Sequence, residues 1–357
     1  MTSAIAKVRR GPLRAVAHMV TTPLVPRDFL DLVDPLGSSR DLRGRIDAVT
    51  SETDDTVTVH IRVGRGWRGH RAGQYVRLGV DIDGVRQWRT YSLTSPVTQT
   101  RRLAITVKAI DGGIVSNYFV SQAERGTVVH LDQATGDFTL PRSRPAKTLF
   151  VTAGSGITPV MGMLRSHLAD LSDVVVVHSA RTPEDVVFGA ELRCLAQSRA
   201  IRLVEHHTGT SARLTAADLG ALVPDWAERQ TWACGPAGLL DDLEAHWARH
   251  DLADSLRTER FTMPSVDGGD GGPVSFTKTG ITTDTAPATT LLAAGENAGV
   301  LMPSGCRMGV CFGCVLPLRS GAVRDVRNGA VTIGAPDAGV LVQTCVSTVA
   351  GSCELDI

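Results

Sequence analysis

Four cysteines near the C-terminal end constrain this chain more than any other feature. Cys306, Cys311 and Cys314 have the spacing C-x4-C-x2-C, and Cys345 follows about thirty residues later. One tight loop can supply three thiolates to metal sites that are only a few ångströms apart. A second segment folded beside the loop then supplies the fourth thiolate. This spacing is typical of the ligands of a 2Fe–2S cluster.

Glycines alternate with these cysteines and favour the same interpretation. Gly305, Gly309 and Gly313 let the backbone bend closely around a cluster, because glycine tolerates a positive φ. Backbone N–H groups in such a loop can point at the cluster sulfurs, and these hydrogen bonds tune its reduction potential. The loop therefore has the composition that a buried metal cluster requires.

Two other uses of the cysteines are weaker. A zinc site usually combines two C-x2-C pairs, and this segment contains one. Disulfides require an oxidising compartment, and the stretch Ala15–Val20 is too short to be the apolar core of a signal peptide. Cys194, Cys234 and Cys353 have no evident partners. We therefore predict a 2Fe–2S centre and expect a cytoplasmic protein.

Length and charge limit the remaining possibilities. A chain of 357 residues is expected to hold two or three domains. It has 37 basic and 37 acidic residues, and this balance gives no reason to expect a nucleic-acid partner. No apolar run approaches the ~20 residues that a membrane-spanning helix needs. A multidomain protein without a membrane-spanning helix is therefore predicted.

The pattern of apolar residues divides the chain into segments. We predict a basic N-terminal extension over 1–41, an antiparallel β-barrel over 42–145, an α/β domain with a parallel sheet over 146–260, a glycine-rich linker over 261–272, and a small α+β domain over 273–357. The barrel is predicted from period-two strands such as Thr56–Val63. The parallel sheet is predicted because strands alternate with helices after Lys147. The extension is either a tail packed on the first domain or a basic contact with a membrane surface or a partner, through Lys7, Arg9, Arg10 and Arg14.

Within the α/β segment, the sequence predicts particular elements. A helix is expected from the Gly-Ser-Gly-Ile-Thr-Pro string to about His167, and a second over Pro183–Gln197, with Pro183 in its first turn. Thr158 is predicted to cap the first of these helices. Later elements are a strand over Thr231–Cys234 and a helix over Gly238–Arg249.

The string Arg89-Thr90-Tyr91-Ser92 at the end of a barrel strand is a candidate flavin site. Tyr91 can stack on a planar ring, Ser92 can hydrogen-bond near the reactive ring nitrogen, and Arg89 can pair with a phosphate. Taken alone, the string could equally be an ordinary strand end.

A second candidate lies about twenty residues further on. After Lys108, paired glycines precede a helix, where backbone N–H groups and the helix dipole favour a phosphate. A plain hairpin turn is the alternative. The residues concerned are Gly112, Gly113, Val115 and Ser116.

A third candidate joins a parallel strand to a helix. It has two of the three glycines of the dinucleotide fingerprint, so its position is better evidence than its composition. Phosphates bind where such strand ends meet helix starts. The residues are Gly154, Gly156, Thr158 and Pro159.

Two later strand ends complete the set. Ser179 and Arg181 follow a buried strand, where an acidic residue would favour NAD and a cation favours the 2′-phosphate of NADP. A solvated surface arginine is the alternative. Cys234, Gly235 and Pro236 end another strand, where the cysteine could border the nicotinamide or could simply be buried.

In this order, the motifs resemble those of the ferredoxin–NADP reductase superfamily, in the subgroup fused to a C-terminal plant-type ferredoxin domain. The resemblance covers about residues 42–357. It implies a flavin, either FAD or FMN, together with NADPH and a 2Fe–2S cluster held in a β-grasp-like domain. It also implies that Ser92 and Cys234 shape the hydride-transfer contact, and that the four motif cysteines ligate the cluster.

The segments Met302–Cys314 and Gly321–Asp325 carry a finer resemblance, to NADPH-dependent reductases that serve bacterial membrane acyl-CoA (stearoyl-CoA) desaturases. This implies a membrane-bound di-iron partner and a possible peripheral contact of the extension with the inner membrane face. A Rieske dioxygenase, a di-iron hydroxylase or a haem monooxygenase are alternative electron acceptors. A redox-sensing module is a further alternative, although no DNA-binding element is evident.

Overall fold

The computed structural model describes residues 34–37, 41–261, 270–305, 307, 309, 312–335 and 339–357. Three sheets follow one another along the chain, the first antiparallel, the second parallel and the third mixed. This order confirms the predicted fold class. Among the described residues, no helix is long and apolar enough to cross a membrane.

The first sheet has six strands in the order β4-β3-β6-β1-β2-β5. A bridge between Leu93 and Ile105 joins its two ends, so the sheet closes as the predicted barrel. The apolar residues of each strand form its core, as Val59 and Ile61 of β2 do. The strands are β1 Arg43–Thr53, β2 Thr56–Val63, β3 Tyr75–Ile82, β4 Val85–Ser92, β5 Arg102–Lys108 and β6 Val128–Leu131.

Helix α1, Ile114–Ser121, packs on this barrel. Its buried residues Val115 and Phe119 belong to the barrel core. Phe119 also contacts the ring of Tyr91 edge-on, with ring centroids 6.0 Å apart. The helix that follows the paired glycines therefore supports the strand that carries the first flavin motif.

The second sheet is parallel, with strands in the order β11-β10-β7-β8-β9. Apolar side chains cover both faces, with Phe150 and Val176 facing one core and Leu149 and Val175 facing another. The strands are β7 Lys147–Ala153, β8 Asp173–Ala180, β9 Arg202–His207, β10 Gln230–Cys234 and β11 Leu256–Glu259, and the helices are α2 Ile157–His167, α3 Gly189–Gln197, α4 Leu219–Leu222 and α5 Ala237–Arg249.

Helix α2 touches both sheets through glycines. A Cβ added to Gly156, just before the helix, would lie 2.1 Å from the carbonyl oxygen of Cys234 in the parallel sheet. A Cβ on Gly162 would lie 2.3 Å from the carbonyl oxygen of Leu93 in the barrel. Both distances are far inside van der Waals contact, so only glycine allows this packing.

Two local predictions in this domain are wrong. The second helix begins at Gly189, not at Pro183, because the residues between them form a turn in which the Asp185 carboxylate accepts from the Thr182 amide. Thr158 does not cap α2, since the helix already begins at Ile157 and the Thr158 hydroxyl donates back to the Ser155 carbonyl. Strand β11 was not predicted.

The third sheet combines parallel and antiparallel pairs around helix α6, Leu291–Asn297. The helix is capped by Thr290, whose hydroxyl accepts from the Ala293 amide at 3.3 Å. The strands are β12 Gly272–Phe276, β13 Ile281–Thr285, β14 Val315–Asp325, β15 Val331–Ile333, β16 Leu341–Gln343 and β17 Ser347–Leu355. Most of the predicted linker and most of the basic extension lie outside the described residues. Two cluster cysteines, Cys306 and Cys311, also lie outside them.

The parallel sheet provides a test of stability at Arg229. This buried guanidinium donates to Asp173 at 2.9 and 3.0 Å and to Asp225 at 2.9 and 2.8 Å. Arg229→Met removes this cation from both carboxylates, and Asp225 keeps only its contact with Lys147, at 3.1 Å. We expect it to lower the free energy of unfolding by about 2 kcal/mol, less than for a fully buried pair because the carboxylates are partly exposed.

Calorimetry of the full chain measures this loss. Arg86→Met is the matched control, because Arg86 pairs with Asp81 where both side chains are exposed. Its effect should stay below about 0.5 kcal/mol. Equal losses in the two variants would contradict the prediction.

Candidate functional site

A cavity of about 690 Å³ lies where the barrel meets the parallel sheet. It brings together predicted residues from three motifs, namely Thr90, Tyr91, Ser92, Lys108 and Thr158. Residues that the sequence did not single out complete the wall: Tyr75, Thr106, Val107, Ile110, Gly136, Asp137, Phe138, Ser155, Arg257, Thr258, Glu259, Arg260 and Phe261. The cavity is thus built from both domains.

Tyr91 and Ser92 form the barrel side of this cavity at the end of β4. Tyr91 is held edge-on against Phe119, which fixes the plane of its ring. Burial raises the pKa of the Tyr91 hydroxyl above its ordinary value, so the side chain stays neutral. Ser92 is buried and pairs across the sheet with Tyr75. The pair presents one flat ring and one small hydroxyl, which suits a planar heterocycle.

The two cations that the sequence singled out, Lys108 in the cavity wall and Arg89 next to the wall residue Thr90 in sequence, differ in their partners. The Lys108 ammonium is already paired with Asp55, at 2.5 Å. Arg89 is half-buried and donates to the Trp88 carbonyl at 2.7 Å, and no carboxylate among the described residues pairs with it. Burial lowers the pKa of Arg89, and the nearby Arg307 lowers it further. Of the two, Arg89 is the better candidate for an added phosphate.

The paired glycines lie at the start of α1. Gly112 has a φ of +67° and nothing within 4 Å of where its Cβ would be, so its surface is open. The Ser116 hydroxyl accepts from the Ile110 amide at 3.3 Å and donates to the Gly113 carbonyl. Ser116 thus shapes the loop, and Val115 is a core residue.

The nucleotide motif lies at the carboxyl end of the parallel sheet. Gly154 has a φ of +54° and open space before it, and Gly156 lies against the backbone of Cys234. Pro159 is the third residue of α2, in the first turn as predicted. The two strand ends carrying the Gly154 and Cys234 motifs therefore meet, which brings Gly235 and Pro236 to the same edge.

Cys234 is completely buried and does not line the cavity. Its register partner on β11 is Glu259, which does line the cavity. Burial raises the pKa of Glu259 to about 8, and burial, followed by Glu259, raises the pKa of the Cys234 thiol. Sequence reasoning missed Glu259. The signal was the short Leu256–Glu259 stretch after the last helix, which pairs with the strand of Cys234.

Ser179 and Arg181 lie at the end of β8, away from the cavity wall. Ser179 is buried, whereas the Arg181 side chain is 74% exposed. Its Nε lies 3.6 Å from the Asp185 carboxylate. This acidic neighbour partly neutralises the cation that the sequence suggests for a nucleotide phosphate.

Two cluster cysteines are close together in the third domain. The Sγ atoms of Cys314 and Cys345 are 3.2 Å apart, and both side chains are buried. Hydrogen bonding, first of all with Cys345, lowers the pKa of Cys314 to about 6. Metal ligation requires the thiolate form, so this pair fits a metal cluster. Cys306 and Cys311 lie outside the described residues.

The described parts of the cluster loop have the expected tight bend. Arg307, Gly309 and Phe312 have φ values of +60°, +73° and +55°. Thr344 ties the loop to the segment of Cys345, because its hydroxyl donates to the Cys314 carbonyl at 2.9 Å. Of the other cysteines, Cys194 is exposed, and Cys234 and Cys353 are buried.

Three family profiles match the chain in the same order. They describe an oxidoreductase FAD-binding domain over residues 44–140, an oxidoreductase NAD-binding domain over 150–244 and a 2Fe-2S iron-sulfur cluster binding domain over 276–350. An NADPH oxidoreductase of Mycobacterium tuberculosis is 45% identical over 353 residues, which cover 97% of this chain and 92% of that protein. The chain belongs to the ferredoxin–NADP reductase superfamily, fused to a 2Fe–2S ferredoxin domain.

Other proteins are similar to this reductase over most of its length. The ferredoxin reductase component of 3-ketosteroid-9-alpha-monooxygenase from Mycolicibacterium smegmatis is 31% identical, over 90% of this chain and 98% of that protein. The solved structure of phthalate dioxygenase reductase matches 89% of this chain and 98% of its own chain, with a TM-score of 0.63 and 22% identity. At 22% identity, this similarity shows that the two proteins share a fold.

These findings establish the reductase as an electron-transfer oxidoreductase with domains for FAD, a nicotinamide dinucleotide and a 2Fe–2S cluster. The residues present fit these groups. The cavity offers a flat ring for the flavin, and the half-buried Arg89 lies on the strand that carries this ring. The meeting strand ends offer an open glycine loop for the nucleotide, and the thiol pair fits the cluster. The zinc and disulfide alternatives are thereby set aside.

Glu259 gives the site a testable pH dependence. Burial raises its pKa from 4.5 to about 8, so between these values the unfolded chain has released a proton that the folded chain retains. The folded state must therefore lose stability as the pH rises through this range. Glu259→Gln removes this loss. The measured quantity is the melting temperature of the variant minus that of wild type. We expect this difference to be larger at pH 9 than at pH 5 by about 3 °C or more.

Melting curves of the two proteins in the same buffers measure the difference. A constant gap across the range would contradict a raised pKa of the Glu259 carboxyl in the folded protein.

Proposed function

We propose that this reductase supplies electrons from NADPH to an oxygen-activating partner protein. The observation that carries the proposal is the cavity shared by the barrel and the parallel sheet, in one chain with a buried thiol pair. Relatives named as reductase components of monooxygenases support it. When bound, the flavin and the cluster together turn a two-electron hydride donor into a supply of single electrons.

Within the proposed site, each residue has a role that its surroundings favour. Tyr91 stacks on the flavin ring and Ser92 hydrogen-bonds near its reactive nitrogen, while Arg89 pairs with a flavin phosphate. The start of α1, with Gly112 and Gly113, receives the phosphates. Thr90 and Lys108 contribute to the wall of the cavity. The Lys108 ammonium is paired with Asp55. We therefore propose that Lys108 shapes the cavity wall and does not bind a cofactor phosphate through its charge.

On the nucleotide side, the loop at Gly154, Gly156 and Thr158 binds the pyrophosphate of NADPH, with Pro159 fixing the helix start. Ser179 and Arg181 bind the 2′-phosphate, which must compete with Asp185 for the guanidinium. Cys234, Gly235 and Pro236 lie at the end of β10 that would border the nicotinamide. Glu259 lines the same cavity and keeps its carboxyl neutral at pH 7.

As the finer proposal, the partner is a membrane-bound di-iron acyl-CoA desaturase. The cluster-loop sequence supports this choice of partner, and the apolar surface of the described ferredoxin domain supports docking on a partner protein in general. Leu301, Phe312 and Leu341 flank the cluster ligands in sequence and have side chains that are 89%, 68% and 62% exposed. Apolar side chains around an exit point for electrons favour docking on a partner protein. The basic extension would add a peripheral contact at the inner membrane face.

A second candidate partner is a non-membrane oxygenase. The names of several relatives favour it, since they include reductase subunits of a stachydrine N-demethylase and of glycine betaine monooxygenases. A Rieske-type oxygenase, a di-iron hydroxylase or a haem monooxygenase would each accept electrons singly. The same cavity and cluster would serve any of them.

Reconstitution distinguishes the two candidates. The purified reductase is combined with membranes that contain an acyl-CoA desaturase or with a purified oxygenase, and product formation is followed with NADPH and, in parallel, with NADH. We expect NADPH-driven desaturation to be at least ten times faster than oxygenase turnover. Faster turnover of the oxygenase would overturn the desaturase proposal and leave electron supply to an oxygenase in place.

Cys311→Ala tests the route through the cluster. It should abolish cluster colour and partner reduction and retain NADPH–ferricyanide activity. Cys194→Ala is the matched control, because Cys194 is an exposed thiol outside the cluster motif, and it should behave as wild type. Loss of ferricyanide activity in Cys311→Ala would contradict independent flavin and cluster sites.

Tyr91→Ala tests the proposed flavin site directly. Loss of a stacked ring should weaken FAD binding at least tenfold, which corresponds to about 1.4 kcal/mol. Flavin fluorescence during titration of the apoprotein measures the affinity. Tyr118→Ala is the control, because Tyr118 also contacts Phe119 edge-on, at 5.7 Å, but does not line the cavity. Equal weakening in both variants would place the effect in barrel packing.

A further inference from the structure

Arg327 lies outside every motif described above, yet it contacts the cluster loop. It follows the end of β14 and donates from Nη1 to the Gly309 carbonyl oxygen at 3.1 Å. Gln343 donates to the same oxygen from Nε2 at 2.9 Å. Gly309 lies between Cys306 and Cys311 in the sequence, so both side chains hold the loop at its centre.

The contact leaves no room for a larger residue in the loop. A Cβ added to Gly309 would lie 2.8 Å from Arg327 Nη1, and the φ of +73° already favours glycine. The guanidinium and the loop backbone are therefore packed directly against each other.

Asp325 holds the guanidinium in this position. Its carboxylate accepts from Arg327 Nε at 2.9 Å, from Nη2 at 2.5 Å and from the Arg327 backbone amide at 2.9 Å. Both side chains are mostly buried, with exposed fractions of 28% and 19%. The carboxylate occupies Nε and Nη2, which leaves Nη1 to face the loop.

The charge of Arg327 also acts on the cluster thiols. Besides Asp325, the nearby Cys345 and Cys314 raise the pKa of Arg327. These two sulfurs, 3.2 Å apart, are half of the proposed ligand set. A permanent cation thus lies within electrostatic reach of the metal site, on a side chain that has little freedom to move.

We propose that Arg327 is a positioning residue that holds the cluster loop at Gly309 and raises the reduction potential of the 2Fe–2S cluster. Reduction adds one electron to the cluster, and a nearby positive charge stabilises the reduced form. The effect makes the cluster a better electron acceptor from the flavin. The inference rests on the proposed ligands Cys306, Cys311, Cys314 and Cys345.

The test is a redox titration of the full chain, followed through the EPR signal of the reduced cluster. Arg327→Gln removes the charge, Arg327→Lys retains it, and Gln343→Leu removes the neutral hydrogen bond to the same carbonyl. We expect Arg327→Gln to lower the equilibrium constant for cluster reduction at least tenfold, a shift of 59 mV for a one-electron couple. Arg327→Lys and Gln343→Leu should stay within threefold of wild type.

Arg319→Gln is the matched control for charge. Arg319 lies on the same strand β14 and pairs with Asp356 at 3.0 Å, away from the loop contacts. Its variant should titrate as wild type. Equal shifts in Arg319→Gln and Arg327→Gln, or in Gln343→Leu and Arg327→Gln, would overturn the specific role of the Arg327 charge. An unchanged potential in Arg327→Gln would also overturn it.

Asp325→Asn provides a second test if the Arg327→Gln variant does not bind a cluster. It removes the negative neighbour and keeps the cation, so the potential should rise, and an unchanged or lower value would overturn the inference. Wild-type protein that binds no iron would count against the ligand set itself. If the cluster is loaded and its reduction potential is the same in all of these variants, the result counts only against the inference about Arg327.

Discussion

The packing of helix α2 between two sheets is the constraint on which the rest of the site depends. Just before its start, Gly156 lies against the Cys234 carbonyl, and six residues later Gly162 lies against the Leu93 carbonyl. Leu93 directly follows Ser92, and Cys234 is the register partner of Glu259. Two close backbone contacts on one helix therefore set the distance between the barrel wall and the nucleotide wall of the cavity. A larger side chain at either glycine would separate the walls.

Much of this arrangement follows from local sequence pattern. The period-two strand Thr56–Val63 predicts a half-buried sheet face, and the alternation of strands and helices after Lys147 predicts a parallel sheet. Phosphate-binding loops can be located because they must lie where strands end and helices begin. The cysteine spacing is more informative still, because a cluster restricts the geometry of its ligands more tightly than a hydrophobic core restricts its side chains. The domain limits drawn from these patterns stay a prediction.

What the sequence could not provide depends on contacts between distant segments. Glu259 is important because its strand pairs with the strand of Cys234, and Arg327 is important because it donates to the Gly309 carbonyl. Neither residue belongs to a recognisable motif. The start of α3 was misplaced for a related reason. Propensity placed Pro183 in a first helical turn, but the Asp185 side chain competes for the local amides and holds a turn there instead. Side chains that bond to a nearby backbone override simple periodicity.

The burial of the thiols also determines what chemical labelling would report. Cys234 and Cys353 are enclosed, and burial raises the pKa of each thiol, to about 12 for Cys353. Cys314 and Cys345 are buried as proposed ligands. Among the cysteines that the structure describes, this leaves Cys194 on α3 as the exposed one. Of these described thiols, a spin or fluorescent label would therefore react with Cys194 in the nucleotide domain, where it could report the distance to the ferredoxin domain during turnover.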